Sequence, residues 1–171
     1  PNEPAVRRAL RHDYDPSGQV AARLEALDQT GHATDKIELI IKGGTWSFYP
    51  ERYQHWFIQR CLEAANHFAR GSKLEARGQN GLAPTASSLE PGALFEAQCT
   101  NETAQSRIIG VTIETRPDYV TPEEIRRLRE LGVTRVELGV QSLEESVLAL
   151  TVRDHGTDAV RRATRLLRDA A

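Results

Sequence analysis

The chain has 171 residues, 39% hydrophobic and 27% charged, with a net charge of -2. This is the composition of a globular chain rather than a disordered tail, without the overall basic field that would by itself argue for nucleic acid. No apolar run approaches the roughly 18 residues of a membrane span, and no membrane association is expected.

In chain order, Val6, Ala9 and Leu10 among Arg7, Arg8 and Arg11 predict a short entry helix. Asp15-Pro16 is a helix start, with Asp15 as cap and Pro16 at the first helical position. Val20, Leu24 and Leu27 continue that helix to Gly31-His32. A strand is predicted over 37–42, then an aromatic loop (Trp46, Phe48, Tyr49) to Pro50. A helix from Glu51 to about Ala69 places Tyr53, Phe57, Cys61, Ala65 and Phe68 on one face. Residues 71–93, rich in Gly, Ser, Gln, Asn and Pro, predict a flexible surface insertion. A short helix over about 94–105 and a strand over 108–113 follow. Thr121-Pro122-Glu123-Glu124 opens a helix with Ile125, Leu128 and Leu131 inward, and Gly132 ends it. A strand over 135–140 leads into Ser142-Leu143-Glu144-Glu145, a second capping-box pattern, followed by Val147 and Leu150. A last helix covers about 157–169, with Val160, Ala163 and Leu167 inward.

Strands alternating with helices imply parallel strands joined by right-handed crossovers. The expected fold is α/β: a partial TIM-like barrel of parallel strands with outer helices, with an open doubly wound sheet as the alternative. Three strands are too few to close a barrel. The chain starts at Pro1 and contains no Met, so it reads as a piece of a longer protein. The two cysteines, Cys61 and Cys99, form no CxxC pair; Cys61 fits a small core residue, and no metal site is expected within the chain. Lone cysteines suit a cytoplasmic protein.

Each strand stops where polar groups able to hold a ligand begin, and ligands sit at the carboxyl ends of parallel strands. Gly43-Gly44 lets a ligand approach the backbone, and Thr45 adds a hydroxyl; a tight turn needing positive φ is the plainer reading. Glu114 can accept from ribose hydroxyls or an ammonium, and Arg116 can clamp a carboxylate or phosphate; a surface ion pair is the alternative. Gln141 suits a ribose or base edge, or else helix-entry hydrogen bonding beside Ser142. Arg153 ranks above His155 as a ligand contact in the turn between the last helices. Lys36, beside Asp35, carries little weight on its own. The arginines at 126, 127, 129, 161, 162, 165 and 168 mostly decorate helix faces, with RNA contact the less favoured reading.

Read together, Glu3-Pro4, Arg8-Ala9-Leu10-Arg11, Tyr14-Asp15-Pro16, Gly31-His32, Asp35-Lys36, Gly43-Gly44-Thr45, Ile113-Glu114-Thr115-Arg116-Pro117-Asp118-Tyr119 and Glu137-Leu138-Gly139-Val140-Gln141-Ser142 resemble the radical-SAM region of the Elongator catalytic-subunit family. The resemblance covers nearly the whole chain except 71–93. It implies an incomplete radical-SAM core domain over 1–171, and an acyltransferase acting on tRNA. Such an enzyme places a carboxymethyl precursor on carbon 5 of the wobble uridine, using S-adenosylmethionine (SAM), a [4Fe-4S] cluster and acetyl-CoA. On the same resemblance Gly43, Gly44 and Thr45 cradle the methionine end of SAM, and Glu114 and Gln141 address its ribose. Arg116 and Arg153 hold a carboxylate or phosphate, and Lys36 serves acetyl-CoA. No catalytic residue is assigned. The family's cluster cysteines and its acetyltransferase domain have no counterpart here, so the cluster ligands are expected outside this chain, which alone is expected to be inactive. The family's Arg-Gly-His-Thr stretch appears reordered as Arg153-Asp154-His155-Gly156-Thr157. Expected partners are tRNA, acetyl-CoA, and Elongator-like subunits or a second copy. A tRNA-binding scaffold without a cluster and a radical-SAM enzyme acting on a small molecule are the competing readings.

Overall fold

The computed structural model describes residues 3–68, 92–151 and 155–171. Its elements are α1 (Pro4–Arg11), α2 (Pro16–Gln29), β1 (Lys36–Ile41), α3 (Glu51–Asn66), α4 (Ala93–Asn101), β2 (Arg107–Thr115), α5 (Pro122–Glu130), β3 (Arg135–Leu138), α6 (Glu145–Leu150) and α7 (Thr157–Asp169). Short 3₁₀ turns at Trp46–Phe48 and Pro117–Tyr119 follow the first two strands. The strands form one sheet in the order β1-β2-β3. β2 and β3 run parallel, with Thr112 opposite Arg135, Glu114 opposite Glu137 and Thr115 opposite Leu138. The α/β class and the parallel strands therefore agree with the sequence. Most of the expected insertion at 71–93, and Arg153, lie outside the described residues; Gly92 is a turn residue and Ala93 opens α4.

Local chemistry explains the element ends. The Asp15 carboxylate accepts from the Gly18 amide at 2.9 Å and caps α2. Helix α2 closes at Gly31 (φ 79°), where the His32 amide donates to the Leu27 carbonyl and the Gly31 amide to Asp28. Helix α5 closes the same way at Gly132 (φ 79°), through Val133 to Leu128 and Gly132 to Arg129. Both closures need one left-handed residue, which glycine supplies without a Cβ penalty. The Thr121 hydroxyl accepts from the Glu124 amide at 3.1 Å and starts α5. The second capping box does not form: the Ser142 hydroxyl caps the Glu144 amide at 3.0 Å, but α6 begins only at Glu145. Its buried residue is Leu148, while Leu150 is 83% exposed.

The chain divides into two compact units. One comprises Pro1–Leu39 and Glu51–Ile109, the other Ile40–Pro50 and Gly110–Ala171. In the first, α3 packs against α2 and α4. Leu24, Trp56, Ile58, Cys61, Leu62, Ala65, Phe68 and Ala97 are buried there, so the inward face of α3 is Ile58, Cys61, Leu62 and Ala65 rather than Tyr53 and Phe57. The Asn66 amide donates to the Ala97 carbonyl at 2.9 Å, and Asn101 binds both the amide and the carbonyl of Ile108, securing the entry to β2. In the second unit Val120, Ile125 and Ala163 form a core against which Leu138, Leu166 and Leu167 pack. β2 buries both faces: Val111, Ile113 and Thr115 on one, Thr112 on the other. Double coverage is the normal state of a parallel strand.

Candidate functional site

Strand β1 ends at Ile41, one residue before the prediction, and Lys42 leaves the sheet. Gly43 (φ 114°) and Gly44 (φ 137°) then turn the chain in a region that L side chains rarely adopt. A Cβ on either would meet nothing within 4 Å, so backbone conformation, not space, selects glycine here. Both are exposed, and Thr45 is half-buried. The turn is anchored downstream: Trp46 is only 3% exposed, and the Thr115 hydroxyl donates to the buried Ser47 hydroxyl at 2.8 Å. Upstream, the Lys42 ammonium pairs with the Glu137 carboxylate. That hydrogen bond is the largest influence and raises the Lys42 ammonium above its ordinary range; desolvation opposes it, and the charges of Glu137 and then Glu114 add to the rise.

Glu114 is half-buried near the end of β2, on the strand face that also carries Thr112. Its partner across the parallel pair is Glu137, so two carboxylates stand on neighbouring strands; the Lys42 cation bonds Glu137 and feels the charge of Glu114. Arg116 follows. Its Nε donates to Asp118 Oδ1 at 2.9 Å and its Nη2 to Oδ2 at 2.8 Å, and its guanidinium lies 5.6 Å from the Tyr119 ring centroid. This bidentate fork is the strong form of the pair. Asp118 Oδ1 also lies 3.6 Å from Nδ1 of His155, whose side chain is fully buried. Among the described residues neither ring nitrogen of His155 has a hydrogen-bond partner.

After β3 the backbone folds back on itself. The Gly139 amide donates to the Thr115 carbonyl at 2.9 Å, Val140 to Leu138 at 2.9 Å, and Ser142 to Val140 at 2.8 Å. These tight turns end the strand two residues before the prediction and leave Gln141 exposed at φ 67°. A left-handed non-glycine residue is uncommon, and such strain clusters at ligand sites.

Gly43, Gly44, Thr45, Glu114, Arg116 and Gln141 thus all belong to the second unit, at the carboxyl ends of three neighbouring strands. Lys36 belongs to the first unit, where it is the exposed first residue of β1. Sequence reasoning overlooked Lys42, Glu137, Ser47 and Asp118 as parts of this region. Asp118 was legible, two residues beyond Arg116 across a proline; Glu137 gains meaning only once its register with Glu114 is known.

The arrangement offers exposed backbone groups, a carboxylate acceptor, an amide side chain and a fixed guanidinium, a set able to meet polar and charged groups. It does not offer a metal site: among the described residues no group of three or more His, Cys, Asp or Glu side chains could hold an ion. Cys61 is buried, which pushes its thiol well above the ordinary range, and Cys99 is exposed. No described helix is long and apolar enough to cross a membrane.

Residues 12–171 match the Radical SAM superfamily. The chain is 46% identical over 168 residues to a tRNA uridine(34) acetyltransferase of Methanocaldococcus infernus, covering 98% of this chain and 28% of that protein. It is 36% identical over 168 residues to human Elongator complex protein 3, covering 98% of this chain and 27% of that one. Its fold is similar to that of archaeal Methanocaldococcus infernus Elp3 with an N-terminal deletion, at a TM-score of 0.78 and 43% identity, covering 95% of this chain and 33% of the other. The chain therefore spans about three-tenths of the length of these relatives. With a match from residue 12 to residue 171, the chain belongs to the radical SAM superfamily, and its similar relatives include a tRNA uridine(34) acetyltransferase and Elongator complex protein 3.

Proposed function

We propose that this chain is the SAM-holding portion of an acyltransferase that modifies the wobble uridine of tRNA, adding a carboxymethyl precursor to carbon 5 from acetyl-CoA. The observation that carries the proposal is the convergence, within one compact unit, of an exposed glycine turn, a half-buried glutamate and a left-handed glutamine at three adjacent strand ends. Backbone groups of Gly43 and Gly44, with the Thr45 hydroxyl, receive the methionine end of SAM. Glu114 and Gln141 take its ribose hydroxyls. Arg116 already commits its Nε–Nη2 edge to Asp118, so it serves as a fixed positive charge rather than as a free bidentate clamp. Arg153 is assigned the same kind of anion contact, and Lys36 is assigned to acetyl-CoA.

The residues described here do not fit an iron-sulfur cluster, since the two cysteines, one buried and one exposed, are not accompanied by other metal-ligand groups. Its ligands are therefore assigned to a part of the protein outside this chain, as is the acetyl-CoA domain. The chain's own share is placement and electrostatics, which is what the protein contributes in cofactor chemistry. A cytoplasmic setting, tRNA as substrate, and Elongator-like subunits or a second copy as partners complete the proposal.

The test uses the full-length protein after anaerobic reconstitution. About four irons per chain, as for a Cys-ligated cluster, and release of 5′-deoxyadenosine from SAM support the reading. Loss of that release in Glu114→Ala and Gln141→Ala, with iron retained, supports the residue roles. A protein that binds tRNA but holds no iron and cleaves no SAM overturns it in favour of a scaffold. That second reading draws on the missing metal-ligand groups among the described residues.

A further inference from the structure

The glycine turn after β1 has one firm anchor and one exposed one. Downstream, Trp46 is buried and Ser47 is hydrogen-bonded to Thr115. Upstream, the turn begins at Lys42, whose only described attachments are charges on other strands: Glu137, which it bonds, and Glu114, which it faces electrostatically. Gly43 and Gly44 have no side chains with which to fix themselves, and glycine loses more freedom on ordering than any other residue. Their useful groups are backbone groups, whose direction depends entirely on what holds the two ends of the turn.

We propose that Lys42 is a positioning residue: its ion pair with Glu137 ties the entrance of the Gly43–Gly44 turn to β3 and aims the turn's backbone groups at the ligand. The inference rests on the SAM reading above. The same pair has a second effect. Glu114 and Glu137 are direct neighbours in the parallel register, one strand spacing of roughly 4.8 Å apart. Like charges so placed repel. Lys42 offsets that repulsion and engages Glu137, which leaves Glu114 to act as acceptor. On β3 the remaining charged group of that face is Arg135, two residues before Glu137 and opposite Thr112. The pair is half-exposed, with side-chain exposures of 50% and 42%, so it works as a restraint on an exposed turn rather than as a pillar of the fold.

The test is a charge-swap cycle in the full-length protein: Lys42→Met, Glu137→Gln, Lys42→Arg, and the double variant Lys42→Glu with Glu137→Lys. SAM affinity is read by equilibrium dialysis, and local order by hydrogen exchange of the peptide covering residues 43–49. Thermal unfolding controls for the fold. Each neutralising variant is expected to weaken SAM binding about threefold, the scale of a half-exposed ion pair, and to speed exchange in that peptide. Lys42→Arg and the swapped double variant are expected to recover both, and 1 M salt, where screening reaches about 3 Å, is expected to erase the difference. Unchanged affinity and exchange overturn the proposal. So does weakened affinity with unchanged exchange, which makes Lys42 a direct ligand contact, and so does a swap that recovers nothing. If the unaltered protein binds no SAM, the cofactor reading fails, and the exchange data alone decide whether the tie exists.

Discussion

The ends of β1 and β2 occupy equivalent places in a parallel sheet, yet they are built in opposite ways. After β1 the chain presents two exposed glycines with positive φ, preceded by a lysine that reaches across to another strand. After β2 the charged residues pair with each other: Arg116 is forked onto Asp118, Pro117 is buried, and the buried His155 ring lies 3.6 Å from the same aspartate. One end leaves its backbone groups exposed. The other spends its charges on internal order, which fixes where a cation stands. Polar residues at a strand end therefore do not define a binding site; what decides is whether their partners are already inside the protein.

The sharpest way to break this contrast is Gly44→Val. A branched residue at φ 137° costs about 1–3 kcal/mol, but the open surroundings let the turn relax to another conformation without a clash. The fold should survive, and the cost should fall on binding, with SAM affinity down about ten- to a hundredfold, as 1.4 kcal/mol corresponds to a factor of ten. Equal loss of melting temperature and affinity would mean the turn is structural. At the closed end the prediction inverts. Asp118→Asn removes the charged acceptor of Arg116, and urea unfolding should show a loss of about 1–2 kcal/mol. SAM affinity should move less than in Gly44→Val.

A smaller, pH-dependent effect belongs to the α6–α7 junction in the same unit. The Glu145 carboxylate accepts from the Thr157 hydroxyl at 2.6 Å and from its amide at 2.7 Å, standing in for the missing side-chain cap at Gly156. Those bonds, the hydroxyl's first, lower its pKa from the ordinary 4.5. A carboxyl held below its unfolded value stabilises the fold above that value, and the contribution disappears as pH falls through the lowered one. Glu145→Gln should thus melt earlier than the unaltered protein near neutrality, with the gap closing in acid. A gap that persists unchanged in acid would show that packing, not the carboxylate, holds the junction.

Much of this was readable from the residues, for identifiable reasons. Caps and glycine closures are local, so Asp15, Gly31, Thr121 and Gly132 mark their helix ends in sequence and do so in the structure. Gly43-Gly44 at a strand end is also a local signal. The second capping box misled because Ser142 uses its hydroxyl in a tight turn after β3, which delays α6 to Glu145. The inward face of α3 misled because aromatic spacing does not by itself mark burial: Tyr53 and Phe57 are half-buried with their tilted rings 5.9 Å apart, while the buried aromatic of the helix is Trp56, 5.5 Å from Tyr53. Lys42 and Glu137 were illegible for a different reason. They are 95 residues apart, and only strand register brings Glu137 beside Glu114 and within reach of Lys42.

The smallest effect follows from that same pair and sharpens the comparison at its open end. The Lys42 ammonium is held above its ordinary 10.5, chiefly by its bond to Glu137. A lysine raised in this way contributes its full share below the unfolded value and loses it as pH rises through the folded one. The difference in hydrogen exchange between the unaltered protein and Lys42→Met should therefore be constant through the neutral range and vanish only in strong alkali. The Asp118→Asn deficit should persist into that alkali, because an arginine keeps its charge there. If both differences faded together, the turn after β1 and the segment after β2 would share one determinant, and the division into an open end and a closed end would be lost.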